Sequence, residues 1–308
     1  MEIVAFAALL IGATLRIGAP IAFAALGATF AERAGVINVG LEGIMLFGAF
    51  AGVLVSYLTG NPWLGVAGAV VTGVIVAALL GVASITFGAN QIVAGMAINI
   101  LALGLTRFGL DVIWDRPGVS PSVPGLEPVH LPILSDLPVV GEAIFRQNGL
   151  VLLLFVLVII STVVLRRSRF GRHMEAVGEA PEAADSVGIS VHRTRYAALL
   201  ISGALASLGG VALSLGALTY FVEGMTAGRG FIGLAANIFG RWTAVGAFLA
   251  ALLFGLAGAL QVSLQVAGVQ VPSQFLLILP YVLTIVALAG AVGRSRAPAA
   301  LGRPYRTG

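Results

Sequence analysis

The chain has 308 residues, 59% of them hydrophobic and only 10% charged, with a mean hydropathy of +1.05. A soluble domain carries about a quarter charged residues, so this chain cannot cover itself in water and its main solvent must be lipid. It has no cysteine, three histidines and 17 basic residues that are all arginine. Disulfides, thiolate nucleophiles, cysteine metal sites, a lysine Schiff base and a G-x-x-x-x-G-K-[ST] phosphate loop are thereby excluded.

A membrane-crossing helix needs about 20 apolar residues. Runs of that kind predict spans near 3–29, 39–59, 63–87, 91–113, 148–165, 196–217, 243–267 and 273–293. The first run lacks the short apolar core and small-residue cleavage pattern of a removed signal, so it is expected to stay as a helix. Arg16 lies within it and should snorkel or pair with Glu2 or Glu42. In the fourth span, Arg107 and Asp111 are four apart and predict a surface pair. A shorter apolar piece, 230–240, between Gly230 and Arg241, predicts a broken or short helix lined by protein.

Orientation follows from the arginines. Six of them crowd the connection 166–195, and Arg294, Arg296, Arg303 and Arg306 crowd the tail. Both stretches are expected in the cytoplasm. The loop 114–147 balances Arg116 and Arg146 against Asp115, Glu127, Asp136 and Glu142, and holds six prolines. It should face outward as an extended cap. The N-terminus then lies outside and the C-terminus inside the cell membrane. Counting 230–240 as a crossing, the fold class is all-α integral membrane, a polytopic bundle of about nine transmembrane segments. The expected organisation is one transmembrane domain, 1–308: a first helical half 1–113, the external loop 114–147, the cytoplasmic loop 166–195, a second half 196–293 and a basic tail 294–308.

A short internal likeness joins GVINVGLEGIMLFGAF at 35–50 to GFIGLAANIFGRWTAVGAF at 230–248, with a three-residue gap. Its two copies fall at opposite sides of the predicted topology, as an inverted repeat requires. In that alignment Asn237 matches Glu42.

The stretch RHMEAVGEAPEAADSVG at 172–188 is charged and helix-forming in an otherwise apolar chain. Pro181 suits a first helical turn, Glu179 and Glu182 suit the positive end of a helix, and Gly188 can close it. A short helix over 181–187 is predicted, held out of the bilayer by flanking arginines. A connecting turn needs only a few residues, so an insert of this length reads as a docking surface.

GEAPEAADSVGIS resembles the cytoplasmic coupling-helix segment of ATP-binding-cassette (ABC) transporter permeases, in the branch serving nucleosides, simple sugars and branched-chain amino acids. AERAGVINVGLEGIMLFGAFAG at 31–52 and GMTAGRGFIGLAANIFG at 224–240 resemble segments of the nucleoside, basic-membrane-protein-dependent permeases. The resemblance covers essentially the whole chain. It implies an importer subunit that is not itself an enzyme, with no catalytic or metal residues and no cofactor of its own. ATP and Mg would be bound by partner ATPase subunits. The other implied partners are a second permease, identical or different, and an external substrate-binding lipoprotein; nothing points to nucleic acid. Coupling to the ATPases would fall to Glu179, Pro181, Glu182, Ala183, Ala184, Asp185 and Gly188. Nucleosides lead as solute, then ribose-like sugars, then branched-chain amino acids.

Within the spans, Asn38 and Glu42 are four apart and share a helix face. Glu42 opens a span otherwise free of charge, where a carboxylate normally meets a cavity or a partner. It can line a substrate pathway with Asn38, or tie down a neighbouring helix end. Asn99 is a pathway candidate or an interhelical hydrogen-bonding group, and Asn237 is expected to face the central axis with Glu42. Asn90 should cap the fourth span. Glu32 and Arg33 can pair at a membrane boundary. Trp63, Trp114 and Trp242 fall near predicted interfaces, and Phe221 reads as an anchor or as a ring that stacks on a base. An integral-membrane enzyme is disfavoured because the 13 acids are scattered. An ion-coupled carrier would leave the docking insert unexplained.

Overall fold

The computed structural model describes residues 2–129, 147–266 and 296–305, with side-chain surroundings from residue 6 onward. Ten α-helices follow in order: α1 Glu2–Arg33, α2 Leu41–Thr59, α3 Pro62–Gly81, α4 Gln91–Trp114, α5 Gly149–Arg167, α6 Arg169–Glu179, α7 Pro181–Ser186, α8 Val191–Leu213, α9 Arg229–Phe239 and α10 Ala244–Val266. A single π-helical turn extends α3 over Val82–Thr86 and α8 over Ser214–Leu218. Seven of the described helices are long and apolar enough to cross a membrane: α1, α2, α3, α4, α5, α8 and α10. The predicted span 273–293 lies outside the described residues.

The caps explain several boundaries. Asn90 accepts hydrogen bonds from the Ile92 and Val93 amides at the start of α4, as its sequence position predicts. Asn61 caps α3 through Trp63 N–H, Asn148 caps α5 through Val151 N–H and Ser190 caps α8 through Arg193 N–H. Pro62 and Pro181 occupy first turns, where a missing N–H costs nothing.

α8 is the centre of the bundle. Its spanning stretch is 78% buried, against 28% for the peripheral α4. Apolar side chains gain little from leaving lipid tails for one another, so packing depends on close backbone approach. The sequence of α8 supplies that approach: Gly203 meets Gly73 of α3, Ser202 meets Gly27 of α1, Ser207 meets Gly48 of α2, and Gly209 meets Pro20 of α1. Gly210 lies against the Met45 carbonyl of α2 so tightly that an added Cβ would overlap it.

Contacts sort the elements to two ends. At one end, Gly178 of α6 meets the Arg33 carbonyl, and Ala300 N–H donates to the Gly178 carbonyl. This arginine-rich end also holds the start of α8 and the end of α5. At the other end the loop after α4 meets the loop after α8: Ser120 N–H donates to the Phe221 carbonyl and Val123 N–H to the Thr219 carbonyl. The two arginine-bearing stretches described, 166–195 and 296–305, are therefore on one end of the bundle, and the proline-bearing loop is on the other.

The short apolar piece is a helix, as expected, but at 11 residues α9 is only about 16 Å long, half of a bilayer core of about 30 Å. The chain leaves the loop end beside Phe221 and runs without helix to Gly228. It then continues as α9, whose far end and the turn after it meet α1 through Asn237 and Trp242.

Several pairings differ from expectation. Arg16 is exposed on α1 and does not reach Glu42, both of whose carboxylate oxygens are engaged elsewhere. Arg107 pairs with Glu223 at 3.7 Å instead of Asp111, because the loop after α8 folds back over the end of α4. Arg33 turns to Glu175 of α6 at 3.4 Å, while Glu32 is buried and accepts from Asn237 and Trp242. Trp242 is thus a core donor and not a belt residue. Phe221 is fully buried edge-on to Phe50, at 5.3 Å between ring centres, so it is neither an anchor in lipid nor a free stacking platform.

Replacing Gly210 by alanine should force α8 from α2 and lower the melting temperature of the detergent-purified protein, at a cost of about 1–3 kcal/mol. Gly104 has open space around its would-be Cβ. Gly104→Ala should leave the melting temperature unchanged or raise it. Equal thermal denaturation curves for the two variants would contradict this packing.

Candidate functional site: two helix starts that share a cavity

α1 ends at Arg33, and the chain turns back into the bundle through 34–40. Gly35 adopts φ +85° at this reversal, and Gln91 of α4 accepts the Ile37 N–H at 2.7 Å. Asn38 is fully buried and donates to Ser202 of α8 at 3.0 Å, with its Oδ1 lacking a described partner. α2 then begins at Leu41. Its Gly40 cap has no side chain to offer, and the first amides of any helix lack intrahelical acceptors. Asn99 of α4 supplies what is missing. Its Oδ1 accepts from Gly43 N–H at 2.8 Å and its Nδ2 donates to the Val39 carbonyl at 3.1 Å. A Cβ on Gly43 would sit 2.8 Å from the Ile98 carbonyl oxygen, so α4 can approach only a glycine there.

α9 starts in the same neighbourhood and has the same deficit, because Gly228 also provides no side-chain cap. Glu42, in the first turn of α2, meets it with both oxygens. Gly228 N–H donates to Oε1 and Gly230 N–H to Oε2, each at 2.7 Å. A carboxylate at a helix N-terminus is favoured by the aligned peptide dipoles. A Cβ at Gly230 would lie 2.5 Å from the Glu42 amide nitrogen, so the close approach requires glycine. Arg229 braces the preceding loop by donating to the Met225 and Thr226 carbonyls at 3.1 and 3.2 Å.

A cavity of about 320 Å³ lies between these helix starts. Glu42 and Asn99 give it polar points, Thr226 adds a loop contribution, and Met96, Leu103 and Phe231 form apolar walls. Phe231 is 41% exposed, with its ring available on the cavity side of α9. A mostly apolar hollow with a few fixed polar groups is the usual form of a small-molecule site.

Of the four pathway candidates, the structure brings Glu42 and Asn99 together at this cavity. Asn38, in the 34–40 turn, is buried against Ser202 of α8 and is not among the cavity's lining residues. Asn237 is buried between α9 and α1, accepting from Thr29 and donating to Glu32, both at 2.8 Å. Sequence reasoning missed Thr226, Met96 and Phe231. TAGRG offers two glycines around Arg229, and that pattern was the available signal for a broken backbone at a site.

At the arginine-rich end, Ser168 caps α6 by accepting Gly171 N–H at 2.9 Å. α6 was not foreseen, although buried Met174, Val177 and Gly178 fall at helical spacing. α7 covers Pro181–Ser186, beside the predicted 181–187, and Gly188 closes it at φ +83°. Pro181 and Ala184 turn inward, while Glu179, Glu182, Ala183, Asp185 and Gly188 are exposed. Val177, Ala184 and Val191 form a small apolar core beneath them. Tyr305 lies beside Asp185, and desolvation together with the Asp185 and Glu182 carboxylates holds its phenol above its ordinary range.

A helical bundle with seven described helices long and apolar enough to cross a membrane, a half-length helix at a cavity and a small exposed helix on its arginine-rich end has the form of a multi-pass membrane protein. Residues 10–288 match the family described as branched-chain amino acid transport system / permease component, and the chain belongs to that family. It is 39% identical to the guanosine ABC transporter permease protein NupQ of Bacillus subtilis, over 100% of this chain and 99% of that one. It is also 39% identical to the nucleoside ABC transporter permease protein NupC of Lactococcus lactis, over 93% of each chain. A third relative, TsgC13 of Haloferax volcanii, provisionally named a glucose ABC transporter permease protein, is 36% identical over 97% of this chain and 98% of its own. The protein is a multi-pass permease subunit of an ABC importer.

Glu42→Ala strips two amides of their acceptor and should abolish uptake, while Glu42→Gln keeps one acceptor and should retain measurable uptake. Loss of a helix cap costs about 0.5–2 kcal/mol, so both variants should insert and purify. Transport assays on equal amounts of purified variant check the order; Glu42→Ala at wild-type rate would remove Glu42 from the site.

Proposed function

We propose that this chain forms one half of a pore that carries a nucleoside, delivered by an external binding lipoprotein, past Glu42 and Asn99. The observation that carries the reading is the cavity at the paired starts of α2 and α9, where a carboxylate, an amide and the Phe231 ring converge. A neutral solute with hydroxyl groups and a flat apolar base suits such a lining. The guanosine and nucleoside names of two relatives support that solute class. Ribose-like sugars are the second reading, supported by the glucose name of the third, and branched-chain amino acids are the third reading, supported by the family description.

In this reading the arginine-rich end is cytoplasmic and the N-terminus is external. The seven long helices, the passage completed by α9 and the apolar run 273–293 make nine crossings, with 35–50 and 230–248 as an inverted pair. α7 is the coupling helix. ATP and Mg are bound by two ATPase subunits, whose groove takes the exposed face bearing Glu179, Glu182 and Asp185. A second permease subunit, identical or related, closes the pore.

Reconstituted with its ATPases and receptor, the importer should take up labelled nucleoside in preference to ribose or leucine, in a vanadate-sensitive manner without ion gradients. Preferred uptake of sugar or amino acid would overturn the solute assignment. Glu182→Arg should stop uptake and release the ATPases while leaving insertion intact, as read by co-purification. The natural chain lacks cysteine, so Glu182→Cys gives a single reporter. An impermeant maleimide should label it in inverted vesicles only; labelling of intact cells would reverse the orientation.

A further inference from the structure

Arg195 lies in the second turn of α8, near the arginine-rich end, where a long cationic side chain ordinarily keeps its head in water. Here it is only 2% exposed. Its Nη1 donates to the Arg303 carbonyl at 2.9 Å. Gly35 passes so close that a Cβ there would lie 3.1 Å from Nη2 and 3.2 Å from the Ala300 carbonyl oxygen. The Glu182 carboxylate of α7 is near enough to act on the guanidinium electrostatically. Three parts of the chain far apart in sequence thus close around one side chain.

The segment 296–305 is stitched to both sides of that side chain. Towards the coupling region, Ala300 N–H donates to the Gly178 carbonyl at 2.8 Å, Tyr305 lies beside Asp185, and its ring meets His192 with centres 5.8 Å apart. Towards the cavity, Gly302 N–H donates to the Gly35 carbonyl at 3.0 Å. Gly35 opens the 34–40 turn, and a few residues later that turn becomes the start of α2, with Glu42 in its first turn. α7 and the Glu42 cap are therefore joined through a short folded segment whose inner support is Arg195.

We propose that Arg195 and residues 296–305 form a strut that transmits the position of α7 to the 34–40 turn, and through it to the capped start of α9. Arg195 is a positioning residue in this role; it touches no solute. Its Nε and Nη2 have no hydrogen-bond partner among the described residues. They are open donors in this conformation, and Glu182 is the charged acceptor that a shift of α7 would bring to them. The inference rests on the reading of α7 as the ATPase-docking helix.

The test uses the complete importer, with both permease subunits, ATPases and receptor, in proteoliposomes. Basal ATP hydrolysis and solute uptake per ATP are measured together. Arg195→Gln should keep its ATPases and basal hydrolysis but lose about tenfold in uptake per ATP, the ordinary scale of coupling between two sites. Arg195→Lys, which keeps the charge without the fork, should fall between Gln and the natural residue. If Arg195→Gln does not assemble, Tyr305→Ala, which loosens the same strut at its exposed end, should show the same uncoupling to a smaller degree. Uptake per ATP unchanged in an assembled variant, or hydrolysis and uptake falling in parallel, overturns the strut. A Glu182→Arg complex that still holds its ATPases and transports overturns the docking reading instead, so the two failures are told apart.

Discussion

A helix that begins inside a membrane has amides that neither water nor its own turns can satisfy, and each one left bare is costly in lipid. In this permease α2 and α9 both begin within the bundle, and neither brings a capping side chain of its own. Each is completed by another helix. Asn99 of α4 closes α2, and Glu42 of α2 closes α9. The arrangement is a chain of dependencies, since the residue that caps α9 stands on the helix that Asn99 caps. The glycines at 43 and 230 exist in the same logic, because the caps work only where backbones come within a few ångströms. The same groups that settle the backbone line the cavity, so Glu42 is a structural tie and a candidate pathway residue at once.

Much of this was legible in the sequence. Hydropathy located the long helices, and arginine placement grouped 166–195 with the tail, because both signals depend only on composition along the chain. Pro181 and Gly188 bracketed α7 because capping chemistry is local. The 34–40 turn and the α9 start were visible as glycine-rich, polar breaks in apolar runs. What could not be read was the partner of each polar group. Glu32 was expected to pair with its neighbour Arg33, yet it accepts from Asn237 and Trp242, more than two hundred residues away. Arg107 likewise chose Glu223 over Asp111. Sequence spacing describes neighbours on one helix, whereas these choices are made by how helices are set against one another. α6 was missed because RFGRHMEAVGE is too polar to register as a span, although its buried positions follow helical spacing.

The arginine-rich end shows how a membrane bundle can connect its surface to its interior without a large domain. α6 and α7 have little core of their own, resting on Val177, Ala184 and Val191. Backbone hydrogen bonds to 296–305 and the buried Arg195 bind them to the turn that precedes α2.

The Glu42 carboxylate also decides what the start of α9 can hold. An open helix start is a ready seat for phosphate, and at α9 that seat is already filled from within the protein. A phosphate brought to this helix start would find its amides already taken by Glu42, and the neighbouring Arg229 already donating to the carbonyls of its own loop. The break before α9 thus leaves a small hollow whose helix start has no vacant amides to offer a phosphate.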